Sequence, residues 1–463
     1  MPTDIKSLMR EELEAQFKTW GQPAYRVAQL LQWLYARRVT SWDAMTNLPK
    51  ALRDKLRETF SLHTLELIHK QGSPDPSSVA THAVHTNALA SAGAYNKEPA
   101  AERGLRRVDT TQKFLWRLRD HSLIESVLIP ANPPAWPERA RPEQPSSAAV
   151  PPMSVRRQTL RRGEGPALYG EASDRHTLCL STQVGCAYGC KFCASGLDGW
   201  KRNLTPDEIV EQVLAIERNV TSVECREARS ELTSRVTRHP SRVVDNLVVM
   251  GMGEPLANYD NLLTALRILN ASWGGGIGAR KITISTSGLA PQIRRLADEP
   301  EQFRLAVSLH GATDAVRGRI MPVNRKFPLK ELVAACEHYQ AQKGRMLTFE
   351  YILIAGLNDS VEQAGPLAAL AKKFFAKVNL IPYNQVEGLP WERPTEDVCE
   401  AFLAALKKQK VTATLRREKG HDIDAACGQL RLKTERELSS NLQAPSSREK
   451  SSAKHQTDRR GDF

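Results

Sequence analysis

Three cysteines within eight residues, Cys186-Ala-Tyr-Gly-Cys190-Lys-Phe-Cys193, constrain this chain more than any other stretch. Gly185 and Gly189 free the backbone around them to curl. Thiolates are soft ligands that suit iron–sulfur clusters or zinc. A 4Fe-4S cubane has four irons, so three local thiolates leave one iron open to a small chelating ligand. The amine and carboxylate of an amino acid would fill that position, and S-adenosylmethionine (SAM) carries both. Structural zinc is the competing reading. Zinc prefers four closed ligands, usually from two C-x2-C pairs. Only one such pair occurs here, so the fourth ligand would have to be Cys179 or something remote.

Eight cysteines in 463 residues do not make a disulfide scaffold. Met1 to Arg10 holds no apolar leader, and no apolar run is long enough to span a bilayer. The expectation is a soluble, cytoplasmic protein of a reducing compartment, with no membrane association. The formal charge is +13 and the pI about 9.4. Seven Lys/Arg and five Asp/Glu lie between 433 and 463, so the tail carries only two of those charges. A basic folded body suggests a polyanionic partner, RNA or DNA, although a merely basic soluble protein has the same composition.

Five segments are expected along the chain. Residues 1–65 read as a helical accessory domain, with Val27, Leu30, Leu31 and Leu34 at helical spacing. Arg10, Lys18, Arg26, Arg37 and Arg38 on it could touch phosphate or form a solvated face. Residues 66–130 form a β-rich connector with strands at Leu65–His69, Lys113–Leu118 and Leu123–Ile129, interrupted by a loop insertion at 73–108. Residues 131–171 are a Pro-rich insertion expected to be disordered. Residues 172–432 form the catalytic core, with a polar insertion at 226–241. Residues 433–463 are a disordered tail.

Within the core, β-rich runs at His176–Thr182, Asp245–Met250, Lys281–Thr286, Phe303–Leu309, Met346–Ile354, Val378–Ile381 and Val411–Leu415 alternate with helical stretches. Those stretches are Asp207–Arg218, Leu262–Leu269, Leu329–Gln342, Val361–Lys373 and Val398–Lys408. Repeated βα units argue for an α/β fold with a parallel sheet, open or curled into a barrel. Ligands gather at the carboxyl ends of such strands. The cysteine loop follows the first strand, Gly251-Met-Gly253-Glu254-Pro the second, Ser287-Gly288 the third, Ser308-Leu309-His310 the fourth and Asn384 the sixth. Glu254 could accept from the ammonium of SAM, while Ser287, Ser308 and His310 could hold its carboxylate and ribose. Gly251-x-Gly253 lacks the third glycine of a dinucleotide fingerprint.

Cys179 lies on the first strand. Cys427 lies in a polar loop downstream of Arg416, Arg417 and Lys419, cations that would lower its pKa if near. Both could instead be small buried hydrophobes. Cys225, Cys336 and Cys399 sit in helical or inserted segments and read as inert.

Thr177-Leu-Cys179-Leu-Ser-Thr-Gln-Val-Gly-Cys186-x3-Cys190-x-Phe192-Cys193 resembles the radical-SAM RNA methyltransferases RlmN and Cfr. Gly251-Met-Gly-Glu-Pro-Leu256, Ser285-Thr-Ser-Gly288, Ser308-Leu-His310, Leu380-Ile-Pro-Tyr-Asn384 and Asp422-Ile-Asp-Ala-Ala-Cys427-Gly-Gln-Leu430 match in order. The resemblance covers roughly 1–65, 110–130 and 172–432. It implies a partial (β/α) radical-SAM barrel with a small N-terminal helical domain. Cys186, Cys190 and Cys193 would hold one 4Fe-4S cluster, and Gly253, Glu254, Ser287, Ser308, Leu309, His310 and Asn384 would bind SAM.

The same resemblance implies a reaction. Cys427 would take a methyl group from a first SAM. A second SAM, reduced by the cluster, would yield a 5′-deoxyadenosyl radical that removes hydrogen from that methyl. The methylene radical would add to carbon 2 of an adenine, Glu125 would remove the proton there, and Cys179 would form a disulfide with Cys427 to release the product. Carbon 2 of adenine is electron-poor, so a polar methyl donor cannot reach it and cofactor chemistry is needed. Substrates would be 23S rRNA and tRNA, with a flavodoxin-like electron donor and a monomeric enzyme. A Cfr-like enzyme acting on carbon 8, a non-catalytic zinc-held RNA-binding protein, and a sulfur-inserting enzyme with a second cluster are the alternatives. The insertions and Glu418-Lys-Gly-His421 depart from the family pattern.

Overall fold

The computed structural model describes residues 2–72, 111–130, 175–228, 242–344, 347–416 and 429–443. Most of the expected insertions, the loop carrying Cys427 and the end of the tail lie outside the described residues.

The N-terminal segment is helical: α1 (Arg10–Thr19), α2 (Tyr25–Leu31) and α3 (Lys50–Thr59) bury Leu13, Phe17, Val27, Leu30, Leu52 and Leu56. Its cations are largely committed locally. Arg10 pairs with Glu14 at 2.6 Å, Arg37 lies over the Trp33 ring, and Arg38 reaches Glu217 of the core at 3.3 Å. Arg38 is therefore a joint between segments, where the charge pattern alone allowed a phosphate contact. A second joint is buried. Lys6 Nζ lies 3.3 Å from Glu211 and 3.6 Å from Asp4, and Ser7 Oγ donates to Asp207 at 2.8 Å. Glu211 and Asp207 belong to α4 (Pro206–Ala228), so the helical segment is fastened to the first crossover helix. Such a buried ion cluster is sensitive to the loss of one member.

Ten strands form one sheet. β1 (Glu66–Gln71), β2 (Gln112–Arg117), β3 (Leu123–Pro130) and β4 (His176–Cys179) run antiparallel to one another in sequence. From β4 onward the sheet is parallel: β7 (Asn246–Val249), β8 (Ile282–Thr286), β9 (Arg304–Ser308), β10 (Thr348–Leu353), β11 (Lys377–Pro382) and β12 (Ala413–Leu415) follow in order. β4 thus pairs antiparallel with β3 (Val127 opposite Cys179) and parallel with β7 (Cys179 opposite Val248). Along β7 and β11 buried residues (Leu247 and Val249; Val378 and Leu380) alternate with half-buried ones, the period-two pattern of a strand with one face covered.

Crossovers are made by α4, α5 (Tyr259–Asn270), α6 (Ala290–Asp298), α7 (Asp314–Ile320) with α8 (Leu329–Lys343), α9 (Ala364–Lys373) and α10 (Glu396–Lys408). Strands laid down in sequence order put these helices on one side, the winding of a barrel and not of a doubly wound sheet. A flat ten-stranded sheet would be about 43 Å wide, yet residues from β2, β4, β7, β9, β11 and the end of β12 line a single cavity. The sheet is therefore curled, and among the described residues β1 and β12 remain unjoined edges.

Three elements differ from expectation. A hairpin of β5 (Gln183–Gly185) and β6 (Trp200–Asn203) flanks the cysteine loop. α4 continues to Ala228, past the expected end at Arg218. The chain after 432 is not wholly irregular: α11 (Gln429–Gln443) starts within the expected core, where Leu430 packs on Leu115 and Leu123, and continues into the expected tail.

Candidate active site

The cysteine loop is held by the hairpin. Gly185 has φ +77, and a Cβ there would sit 1.9 Å from the Gly199 carbonyl oxygen, so only glycine fits. The Cys186 N–H donates to that oxygen at 3.0 Å, Cys193 N to Cys190 O at 3.1 Å, and Lys191 N to Ile320 O at 2.9 Å. Cys186, Cys190 and Cys193 line one wall of a cavity of about 790 Å³. Burial pushes the Cys186 and Cys190 thiols up, and Cys193 and Cys186 push Cys190 further. Thiols buried side by side do not ionise without a cation to stabilise them, which is the environment a metal centre supplies. Among the described residues no three His, Cys, Asp or Glu side chains are placed to share one metal ion. A cubane asks for one thiolate per iron instead, and this donor set fits it.

The opposite wall is the rim of strand ends. After β7 the chain must pass close to its neighbours: a Cβ on Gly251 would lie 2.6 Å from Leu180 O, and Gly253 (φ +102) would place one 2.6 Å from Gln183 Cβ. Glu254 is buried, accepts from Leu256 N at 3.0 Å and from Ser287 N at 2.6 Å, and burial raises its pKa. Its two backbone donors hold the carboxylate facing the cavity that Ser287 also lines. Ser308 Oγ lies 3.4 Å from Ser285 Oγ. His310 adopts φ +53, and its Nδ1 accepts from Ile352 N at 3.0 Å, which leaves the proton on Nε2. Burial, then Arg317, push this ring down to about 3, so it is neutral. Its ring packs edge to face with that of Phe192, centroids 4.8 Å apart, linking the cysteine loop to the fourth turn. Asn384 lines the cavity and accepts from Arg393 at 3.1 Å. Leu309 instead turns into the core, contributing its backbone: N–H to Glu350 O at 3.0 Å and O from Arg317 Nε at 3.1 Å.

The antiparallel strands close the third side. Cys179 and Lys113 line the cavity. Glu125 lies just behind, 2 % exposed rather than on the surface, with Oε2 3.4 Å from Lys113 Nζ and Oε1 accepting from Arg431 N at 2.7 Å. Cys427 lies outside the described residues.

The sequence reading did not single out Lys113, Arg317 or Glu350 as site residues. Arg317 is fully buried and ties two rim turns together: Nε to Leu309 O, Nη2 to Ser287 O and Nη1 to Asn324 Oδ1 at 2.8 Å. Cys336 and Cys399 are buried in helices away from the cavity lining. Among the described residues no helix is long and apolar enough to cross a membrane.

Residues 3–62 match the model of the ribosomal RNA large subunit methyltransferase N-terminal domain, and residues 234–364 match that of the radical SAM superfamily. A probable dual-specificity RNA methyltransferase RlmN 3 of Opitutus terrae is 48% identical, over 92% of this chain and 94% of its own length. A probable dual-specificity RNA methyltransferase RlmN of Akkermansia muciniphila is 43% identical, over 94% and 97% respectively. The crystal structure of a radical SAM methyltransferase from Sphaerobacter thermophilus superimposes with a TM-score of 0.68 at 36% identity, covering 92% of this chain and 99% of that one. SAM and an iron–sulfur cluster are the cofactors that such a domain implies.

Proposed function

Because the chain belongs to the RlmN family of dual-specificity radical-SAM RNA methyltransferases, we propose that it methylates carbon 2 of one adenine in 23S rRNA and of one in tRNA. One observation supports this reading most: Cys179, the three loop cysteines and the turns bearing Glu254, Ser287, Ser308, His310 and Asn384 all face one cavity.

Cys186, Cys190 and Cys193 would hold a single 4Fe-4S cluster, and the rim turns would seat SAM beside it. When bound, the cluster supplies the electron that splits SAM, delivered by a flavodoxin-like donor. Two SAM molecules are used per turnover, one as methyl source for Cys427 and one for cleavage. Glu125 removes the proton from the methylated carbon, with the Lys113 ammonium 3.4 Å from its carboxylate. Cys179 then attacks the sulfur of Cys427. A disulfide forms as the bond between the Cys427 sulfur and the methylene carbon breaks. The electron pair stays with that carbon, which takes a proton to become the methyl group of the released RNA. A thiol reductant returns the disulfide to two cysteines for the next turnover.

Nucleoside mass spectrometry of ribosomal and transfer RNA, from cells with and without the protein, tests the reading. Loss of 2-methyladenine from both pools is expected. Loss of a carbon-8 methyl instead would favour the Cfr-like alternative.

A further inference from the structure

A polar row crosses the inner face of the sheet where apolar side chains would be expected. Thr414 on β12 donates through Oγ1 to Asn379 Oδ1 on β11 at 2.9 Å, and Asn379 Nδ2 donates to Glu350 Oε1 on β10 at 2.8 Å. These three are register partners, and Glu350 is also opposite Ser308 on β9. Every bond in the row points toward Glu350. That residue is 4 % exposed and lines the cavity, and its Oε2 has no hydrogen-bond partner. A buried carboxylate oxygen left without a donor costs free energy of the order of a lost hydrogen bond to a charge. The site is thus built to be completed by a ligand that donates.

The neighbours narrow the ligand. The Glu350 carbonyl already accepts from the N–H groups of Leu309 and His310 at 3.0 and 3.3 Å, which fixes the strand against the fourth rim turn. Ser308, the register partner of Glu350, lines the same cavity, so a hydroxyl that donates or accepts and a carboxylate that accepts face one space, a combination able to meet two neighbouring ligand hydroxyls.

We propose that Glu350 is a nucleoside-binding residue whose Oε2 accepts hydrogen bonds from the ribose hydroxyls of SAM. This rests on the reading that SAM occupies the cavity. Glu350 fixes where the ribose sits relative to the cysteine loop; it takes no proton and makes no covalent bond.

The test is calorimetric titration of the anaerobically reconstituted protein, without reductant. The ligands are S-adenosylhomocysteine and its 2′-deoxy, 3′-deoxy and 6-deamino analogues. The wild type is expected to lose about ten- to a hundred-fold in affinity when a ribose hydroxyl is removed. Glu350→Gln keeps the shape but turns a cavity-facing acceptor into a donor. It should lose a similar factor on S-adenosylhomocysteine and on the 6-deamino form, and little on the deoxy form the wild type penalises most. Glu350→Asp, which keeps the charge but withdraws it by one methylene, should lose affinity with the same selectivity. Iron content and melting temperature report whether each variant is folded. Equal loss on every ligand, or no loss, overturns the proposal. Selective indifference to the 6-deamino form also overturns it, by assigning the oxygen to the adenine amine. Wild-type protein that binds none of the ligands removes the premise itself.

Discussion

The carboxylate of Glu125 accepts a hydrogen bond from the backbone N–H of Arg431 at 2.7 Å. One side chain on β3 thereby anchors the first turn of α11, four residues beyond Cys427, while its other oxygen faces Lys113. The proposed base and the segment following the proposed methyl carrier are held by the same group.

Glu125→Gln keeps an acceptor for Arg431 and removes the charge. Methylation should fall by about 10²- to 10⁴-fold, the range for losing a positioned base. A covalent protein–RNA species should accumulate on denaturing gels. Turnover at the wild-type rate would take Glu125 out of the proton transfer.

Cys179→Ala should also trap a covalent adduct, because the other described cysteines of the cavity wall, Cys186, Cys190 and Cys193, would be taken up by the cluster. Cys427→Ala should form none and transfer no methyl. The two variants can be compared on one gel with SAM labelled in its methyl group. Clean product release by Cys179→Ala would refute the resolving role, and methylation by Cys427→Ala would reassign the carrier.

His310 sets a pH dependence of stability. Its ring is pushed down to about 3 in the folded protein, from 6.5. Between those values the unfolded chain binds more protons, so stability rises with pH there and is fully present above about 6.5. The contribution is at most about 1.4 kcal/mol per pH unit. His310→Asn, whose amide oxygen can take the place of Nδ1 and still accept from Ile352, should flatten the melting temperature against pH from 6.5 downward. An unaltered slope would contradict a neutral buried ring.

Arg317 holds two rim turns at once. Arg317→Met strands the carbonyls of Ser287 and Leu309, at about 1–3 kcal/mol for each buried acceptor. The melting temperature should drop, and affinity for S-adenosylhomocysteine should drop with it, since both turns face the cavity. Arg317→Lys should recover only part of either, because an ammonium cannot reproduce the planar fork. A lower melting temperature with unchanged affinity would confine Arg317 to stability.

What could be read from the sequence was local. The cysteine spacing, and the glycine and serine turns after each β-rich run, are signals within ten residues, and they meet in one cavity as that pattern implies. Arg317 carried no such signal: its partners lie 30 residues upstream and 8 upstream, and only the crossover helix brings them to it. Glu350 is one acid in a β-rich run, and its meaning comes from Asn379 and Thr414 on strands added later. β5 and β6 were hidden because three- and four-residue strands leave no alternation to detect.

β4 is the seam of the molecule. Through Cys179 it is registered on one edge against Val127, two residues from Glu125, and on the other against Val248, on the strand that leads to Glu254. Sliding a strand by one residue turns each of its side chains to the opposite face. A shift in this four-residue segment would therefore swing Cys179 out of the cavity and misalign two halves together, the one that bears the proposed base and the one that bears the proposed SAM-binding turns.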